Sequence, residues 1–239
     1  MTNPDIIRPQ IWSDHKAIEA GFTTRPLDRM YNQDGKDFHS LADKFTIIYE
    51  LHGNEIQLAY AKQVHGHKVV TVEEPGFVGE ADGLITKKMD ITLAIQVADC
   101  GVILLADREN GVIGALHSGW RGAAAGIVGN AVQQMQKLGA NSENMEVFIG
   151  PCISGKVYEI GEEVASQFDE RFVLREGFEK PHLVIRDSLK QQLIDAGVPG
   201  QNLEIDQRCT YLNPDLFHSY RRDGKKSGRM IGFIRMRGQ

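Results

Sequence analysis

The apolar positions of this chain form short, dense runs through its centre and then recur at helical spacing. "IQLAYAKQVHGHKVVTV" (56–72), "ADGLIT" (81–86) and "ITLAIQVA" (91–98) show little alternation, the pattern of strands covered on both faces. Val102 to Leu105 and Val112 to Leu116 flank the polar stretch Asp107 to Asn110 and predict a β-hairpin. Folded about the Arg108–Glu109 bond, that hairpin sets Cys100 opposite His117. Directly opposed residues on antiparallel strands share a face, with Cβ atoms roughly 5 Å apart.

After His117 the period changes. Ala123, Ile127, Ala131, Met135 and Leu138 fall at helical spacing, with Gly139 as a stop. A strand over 145–151 follows, then helices over 158–168 and 186–197. Asp187 is the expected N-cap of the second, and Gly197 followed by Pro199 its end. "GRMIGFIRM" (228–236) closes the chain as a strand. The expectation is a mixed α/β (α+β) chain with a strand-rich centre, without the βαβ alternation of a doubly wound fold. No repeat or Pro/Ser-rich linker divides it, so one domain over 1–239 is expected.

Composition narrows the classes. The 239 residues are 41% hydrophobic and 25% charged, enough for one large core. A net charge of −5 argues against general nucleic-acid binding. No apolar run approaches the roughly 20 residues of a membrane helix, and "MTNPDIIRPQIW" lacks the order of a secretory signal. Three widely spaced cysteines, Cys100, Cys152 and Cys209, do not make a disulfide framework. A cytoplasmic protein off the membrane is expected. The last segment reverses the charge balance: Arg221, Arg222, Lys225, Lys226, Arg229, Arg235 and Arg237 stand against Asp223 alone. That is either a solvated basic face or a pocket for an anionic group.

The chemistry gathers near the hairpin. Cys100 and His117 are zinc-type ligands, and an open zinc site asks for a third. His65 is the best placed, because Gly66 lets the backbone turn close to a shared site; His67 is its rival. The same Cys–His pair could instead be a nucleophile and its base, which would need only one histidine. Arg121 precedes Gly122, Ala123, Ala124, Ala125 and Gly126, so a guanidinium and free helix-start amides could receive an anion. Small residues there equally suit tight helix–sheet packing. Asp99, beside Cys100, could orient a ligand or act as acid/base, and Cys152 and Cys209 read as buried structural residues.

"KQVHG" (62–66), "ADGLIT" (81–86), "ADC" (98–100), "HSGWRG" (117–122), "IGPCI…YEIGEEV" (149–164) and "CTY…LFHSYRRDG…GRMIGFI" (209–234) occur in this order. From about residue 20 onward the chain thereby resembles the YfiH-like family, also called the laccase-domain or polyphenol-oxidoreductase family. The resemblance implies a layered α/β/β/α sandwich with largely buried mixed sheets. It implies one zinc ion on His65, Cys100 and His117, copper being the alternative its label suggests. It implies purine nucleosides and phosphate as partners. Adenosine, inosine, guanosine or methylthioadenosine would be split into base and ribose 1-phosphate, and adenosine would also be deaminated. On that reading Arg121, Arg25, Arg221, Arg222 and Arg229 are anion-site candidates, and Gln63 and Asp99 are polar partners in catalysis. The fold is shared with Cys–His toxin deamidases, so a hydrolase with Cys100 as nucleophile and His117 as base is the second reading. A nucleoside-binding protein is the third. A multicopper oxidase uses several His-x-His pairs and histidines flanking its copper cysteine. This chain has eight histidines, one His-x-His pair (65–67), and aspartate and glycine beside Cys100. It departs from the family pattern at "PLDRMYNQDGKDFHS" (26–40), where members carry a Gly/Ser-rich loop, and lacks a proline two residues after the cysteine.

Overall fold

A computed structural model describes residues 6–27, 45, 48–49 and 56–238. Its strands, in chain order, are β1 (Ile6–Ile7), β2 (Ile18–Thr23), β3 (Gln57–Lys62), β4 (Val69–Thr71), β5 (Gly76–Glu80), β6 (Gly83–Thr86) and β7 (Ile91–Val97). They continue as β8 (Gly101–Asp107), β9 (Val112–Ser118), β10 (Glu146–Ile149), β11 (Val173–Leu174), β12 (His182–Leu183), β13 (Leu203–Ile205) and β14 (Met230–Met236). Among the described residues, the helices with both ends defined are α1 (Trp120–Ala124), α2 (Ile127–Lys137), α3 (Glu162–Ala165), α4 (Ile185–Asp195) and α5 (Tyr220–Asp223), and residues 25–27 and 48–49 are also helical.

Two six-stranded mixed sheets result, in the orders β1-β2-β14-β7-β3-β5 and β13-β10-β8-β9-β6-β4. Period-2 alternation divides their side chains between two cores. Leu93 and Ile95 of β7, Ile234 of β14, Val102 and Leu104 of β8 and Ala115 of β9 fill the space between the sheets. Ile103 and Leu105 point the other way, under Val128, Ala131, Val132 and Met135 of α2 and Leu189 and Leu193 of α4. The outer face of the first sheet, through Leu58, Ala94, Ile231 and Phe233, is covered by Leu27, Phe45 and Ile48. The architecture is a layered α/β/β/α sandwich. Strands with an apolar neighbour on both faces explain the weak alternation of the central runs.

Several elements differ from the sequence expectation. The run 56–72 is two strands in different sheets, because the chain crosses from the first sheet to the second between Lys62 and Val69. The hairpin pairs Val102 with His117 and Gly101 with Ser118, two residues away from the symmetric fold about Arg108–Glu109. The expected helix after Trp120 breaks into α1 and α2 at Gly126, whose φ of 76° lies in the left-handed region glycine tolerates. Of the expected helix over 158–168 only α3 forms. Residues 159–160 pair with 181–182 instead, through the Glu159–His182 bridge and an Ile160 amide donating to the Pro181 carbonyl. Val184 occupies the N-cap position of α4, and Asp187 sits in its first turn, where a carboxylate favours the helix dipole. Most of the divergent stretch 26–40 lies outside the described residues. No described helix is long and apolar enough to cross a membrane.

Candidate metal centre and its cleft

The crossover loop between β3 and β4 carries His65; the turn between β7 and β8 carries Cys100; the end of β9 carries His117. The side-chain ligand atoms of these three lie within 4.8 Å of one another. The His65 and His117 rings meet edge-on, centroids 4.8 Å apart. His67 is not in the group; its carbonyl instead accepts from the Asn130 side chain.

Local backbone geometry brings the three together. His65 has φ 61° and Asp99 has φ 89°, left-handed values that are uncommon outside glycine and collect at functional sites. The Asp99 value breaks the alternation that would have separated Asp99 and Cys100 regularly along a strand. Gly119 and Gly122 permit close approach. A Cβ on Gly119 would stand 3.0 Å from the Cys100 sulfur, and one on Gly122 would stand 2.8 Å from the Gly66 carbonyl oxygen. The second contact holds the start of α1 directly against the His65 loop.

Asp82, at 0% exposure, organises the floor of the site. Its Oδ1 is 2.7 Å from His117 Nδ1 and accepts the His65 amide at 3.0 Å. Its Oδ2 accepts the amides of Gly66 at 2.7 Å and Val64 at 3.2 Å. Burial by itself would raise this carboxyl; the hydrogen bond from His117 and those amides outweigh it and hold the pKa below the usual range. With Nδ1 engaged by Asp82, the Nε2 edge of His117 is the one free for the cluster. Burial also raises the Cys100 thiol, but His117 and then His65 overcome it and bring it down to about 6. The His117 imidazole moves the opposite way: burial disfavours its charge, while Cys100 and Asp82 raise its pKa. Cys152, fully buried, is pushed up to about 11 by that burial.

The metal-free protein should therefore react selectively with iodoacetamide. Thiolate is the attacking species, so modification of Cys100 should rise through about pH 6 and level off above it, where an ordinary thiol of pKa about 8.5 is still gaining. Peptide mapping across a pH series should find Cys100 labelled and Cys152 untouched. Labelling that tracks pH 8–9 would show that the two imidazoles do not act on this sulfur.

The cluster opens into a cleft of about 880 Å³. Arg121, Arg221 and Arg229 line it, and each guanidinium lies over an aromatic ring: Arg121 on Trp120 at 4.3 Å, Arg221 on Tyr158 at 5.4 Å, Arg229 on Tyr220 at 5.9 Å. Arg221 donates to the Glu159 carbonyl and Arg229 to those of Ser227 and Gly228. None of the three forms an ion pair among the described residues. An aromatic backing orients a guanidinium and leaves its donors for a ligand.

Other candidates are placed differently. Arg222 does not line the cleft; its guanidinium donates to the carbonyls of Thr210, Tyr211 and Phe217 and pairs with Asp223. Arg25 is also outside the lining, with Nη1 donating to the Pro214 carbonyl at 2.7 Å. Gln63 borders the cleft, yet its amide donates to the Gln96 carbonyl at 2.7 Å and accepts the Gln96 amide at 2.8 Å, clamping the loop to β7. Asp99 is likewise engaged, accepting the Thr210 hydroxyl at 2.6 Å and the Arg221 amide at 2.7 Å. Sequence reasoning assigned no role to Asp82, Trp120, Tyr158 or Tyr220. For Asp82 a signal was there: one charged residue between Ala81 and Gly83 at the start of an apolar strand.

Comparisons with known proteins bear on the family and the fold. A protein named purine nucleoside phosphorylase from Deinococcus radiodurans is 43% identical over 189 residues, 76% of this chain and 72% of that one. "Adenosine deaminase RL5", from an unknown prokaryotic organism, is 28% identical over 203 residues, 78% of each chain. The crystal structure of the Bacillus licheniformis protein YfiH shares the fold, with a TM-score of 0.85 over 99% of this chain and 98% of that one, at 23% identity. The family profile described as "Multi-copper polyphenol oxidoreductase laccase" matches residues 32–237. Ordered motifs, sandwich and profile converge: this chain belongs to the YfiH-like, laccase-domain family.

Proposed function

We propose that this protein is a zinc-dependent purine nucleoside phosphorylase that also deaminates adenosine. The observation that carries the reading is one cleft holding both a His-Cys-His cluster and three arginines that form no ion pair among the described residues. The relatives named for phosphorolysis and for adenosine deamination support the substrate class. One thiolate and two imidazoles suit zinc with a position left open. When bound, the ion supplies a Lewis acid at the cleft floor.

The chain's own residues divide the remaining work. Arg121, Arg221 and Arg229 hold phosphate through forked, charge-assisted hydrogen bonds. A phosphate oxygen attacks C1′ of the ribose, the C1′–N9 bond breaks, and its electron pair leaves with the purine. Tyr158 lines the cleft and is protonated at neutral pH as any phenol is, and burial raises it further above its usual range. Its hydroxyl is therefore available as a donor to the leaving base. Gln63 and Asp99 act by fixing the loops that carry His65, Cys100 and Arg221.

Adenosine incubated with the zinc-loaded protein and phosphate should give adenine and ribose 1-phosphate, beside inosine from deamination and the hypoxanthine that inosine yields in turn. Without phosphate it should give inosine alone. A strong chelator should stop both and zinc restore them, as read by chromatography of the products.

A second reading has its own support. Cys100, His117 and Asp82 follow the order of nucleophile, base and orienting carboxylate. His65 in the cluster supports the metal reading, because a thiol nucleophile needs only one imidazole. Turnover that persists in chelator and stops on alkylation of Cys100 would favour this hydrolase.

A further inference from the structure

Two of the three cluster residues depend on one carboxylate. Asp82 receives four hydrogen bonds, two on each oxygen: His117 Nδ1 and the His65 amide on Oδ1, the Val64 and Gly66 amides on Oδ2. Those three successive amides define the tight turn in which His65 takes its left-handed φ of 61°. Cys100 is placed separately, through Asp99 and its bonds to Thr210 and Arg221. Hydrogen bonding at Nδ1 decides which ring nitrogen of a histidine faces its ligand.

We propose that Asp82 is the positioning residue of the metal centre, setting the His117 tautomer and the His65 backbone together through one buried carboxylate. The inference rests on the reading of His65, Cys100 and His117 as metal ligands. It goes beyond that reading by making the two histidines a single unit, held by the residue that immediately precedes β6 and separable from Cys100. An amide cannot substitute for the carboxylate. Asparagine has one acceptor oxygen and one NH2, so in either orientation its NH2 must face two N–H donors. One orientation disrupts the His65 turn; the other leaves His117 Nδ1 facing a donor.

The test is zinc affinity by competition with a chromophoric chelator, at a temperature where circular dichroism shows the variant folded. Asp82→Asn should bind zinc about 10–100-fold more weakly than the native chain. Val132→Ala, which removes methyl groups from the α2 core, should lower thermal stability and keep native affinity. If Asp82→Asn binds zinc as tightly as the native protein, the positioning role is wrong. If the native chain itself binds no zinc, the metal reading fails first. Should Asp82→Asn not fold, the native zinc-loaded protein still decides the matter: 15N NMR should find His117 protonated at Nδ1, and a proton at Nε2 would overturn the proposal.

Discussion

Cys100→Ala should purify without stoichiometric zinc and without turnover, while remaining folded. The thiolate is the one anionic donor among the three cluster residues, and its low pKa of about 6 keeps it deprotonated at neutral pH. A ligand set reduced to two imidazoles loses both a bond and the charge that offsets the cation. The fold should survive because Cys100 is only partly buried and lies in the turn before β8 rather than within a strand. Its neighbour Asp99, with bonds to Thr210 and Arg221, still fixes that turn. Elemental analysis should therefore fall from about one zinc per chain to a small fraction of that. Phosphorolysis and deamination should fall together, with the melting temperature of the metal-free form nearly unchanged. Activity that survives loss of the metal would remove zinc from the mechanism altogether.

The pairing of Cys100 with His117 could be read from the sequence for a reason the structure makes visible. The hairpin register differs from the symmetric one by two residues, an even slip, which preserves the face each side chain takes. A slip of one would have sent sulfur and ring to opposite cores. His65 was accessible through Gly66, although the strand assigned to 56–72 was wrong. What that run holds is a crossing between sheets, and no local pattern distinguishes an apolar strand from two apolar strands that part company. Asp82 was missed because its importance lies in four donors drawn from residues 64–66 and 117, a convergence only the fold produces. The sandwich layers were expected from the motif resemblance. Hydrophobic pattern alone gave a mixed α/β chain, since apolar runs do not say which sheet a strand joins.

The arginines show the same limit and lead to the second large effect. Seven basic residues crowd the C-terminal stretch, and sequence cannot tell a guanidinium with free donors from one saturated by carbonyls. Arg121→Ala should lower kcat/KM for phosphate about a hundredfold, about 2.7 kcal/mol, the scale of losing one charged contact to a developing oxyanion. Arg121 is exposed, stacks on Trp120 and makes no ion pair among the described residues, so its removal should leave stability and nucleoside affinity nearly native. Arg222→Ala should do the reverse. Its side chain, 18% exposed, satisfies three backbone carbonyls and Asp223 where the chain turns into α5. Leaving those acceptors without a donor costs about 1 kcal/mol or more for each buried one. The melting temperature should therefore fall, while the KM for phosphate in the folded protein holds. Steady-state kinetics with phosphate and adenosine varied separately, beside thermal melts, resolves the two variants. Equal loss on both substrates in Arg121→Ala would take phosphate away from Arg121. A phosphate-specific defect in Arg222→Ala would mean that the segment around α5 reaches the anion through Arg222 rather than through Arg221 and Arg229.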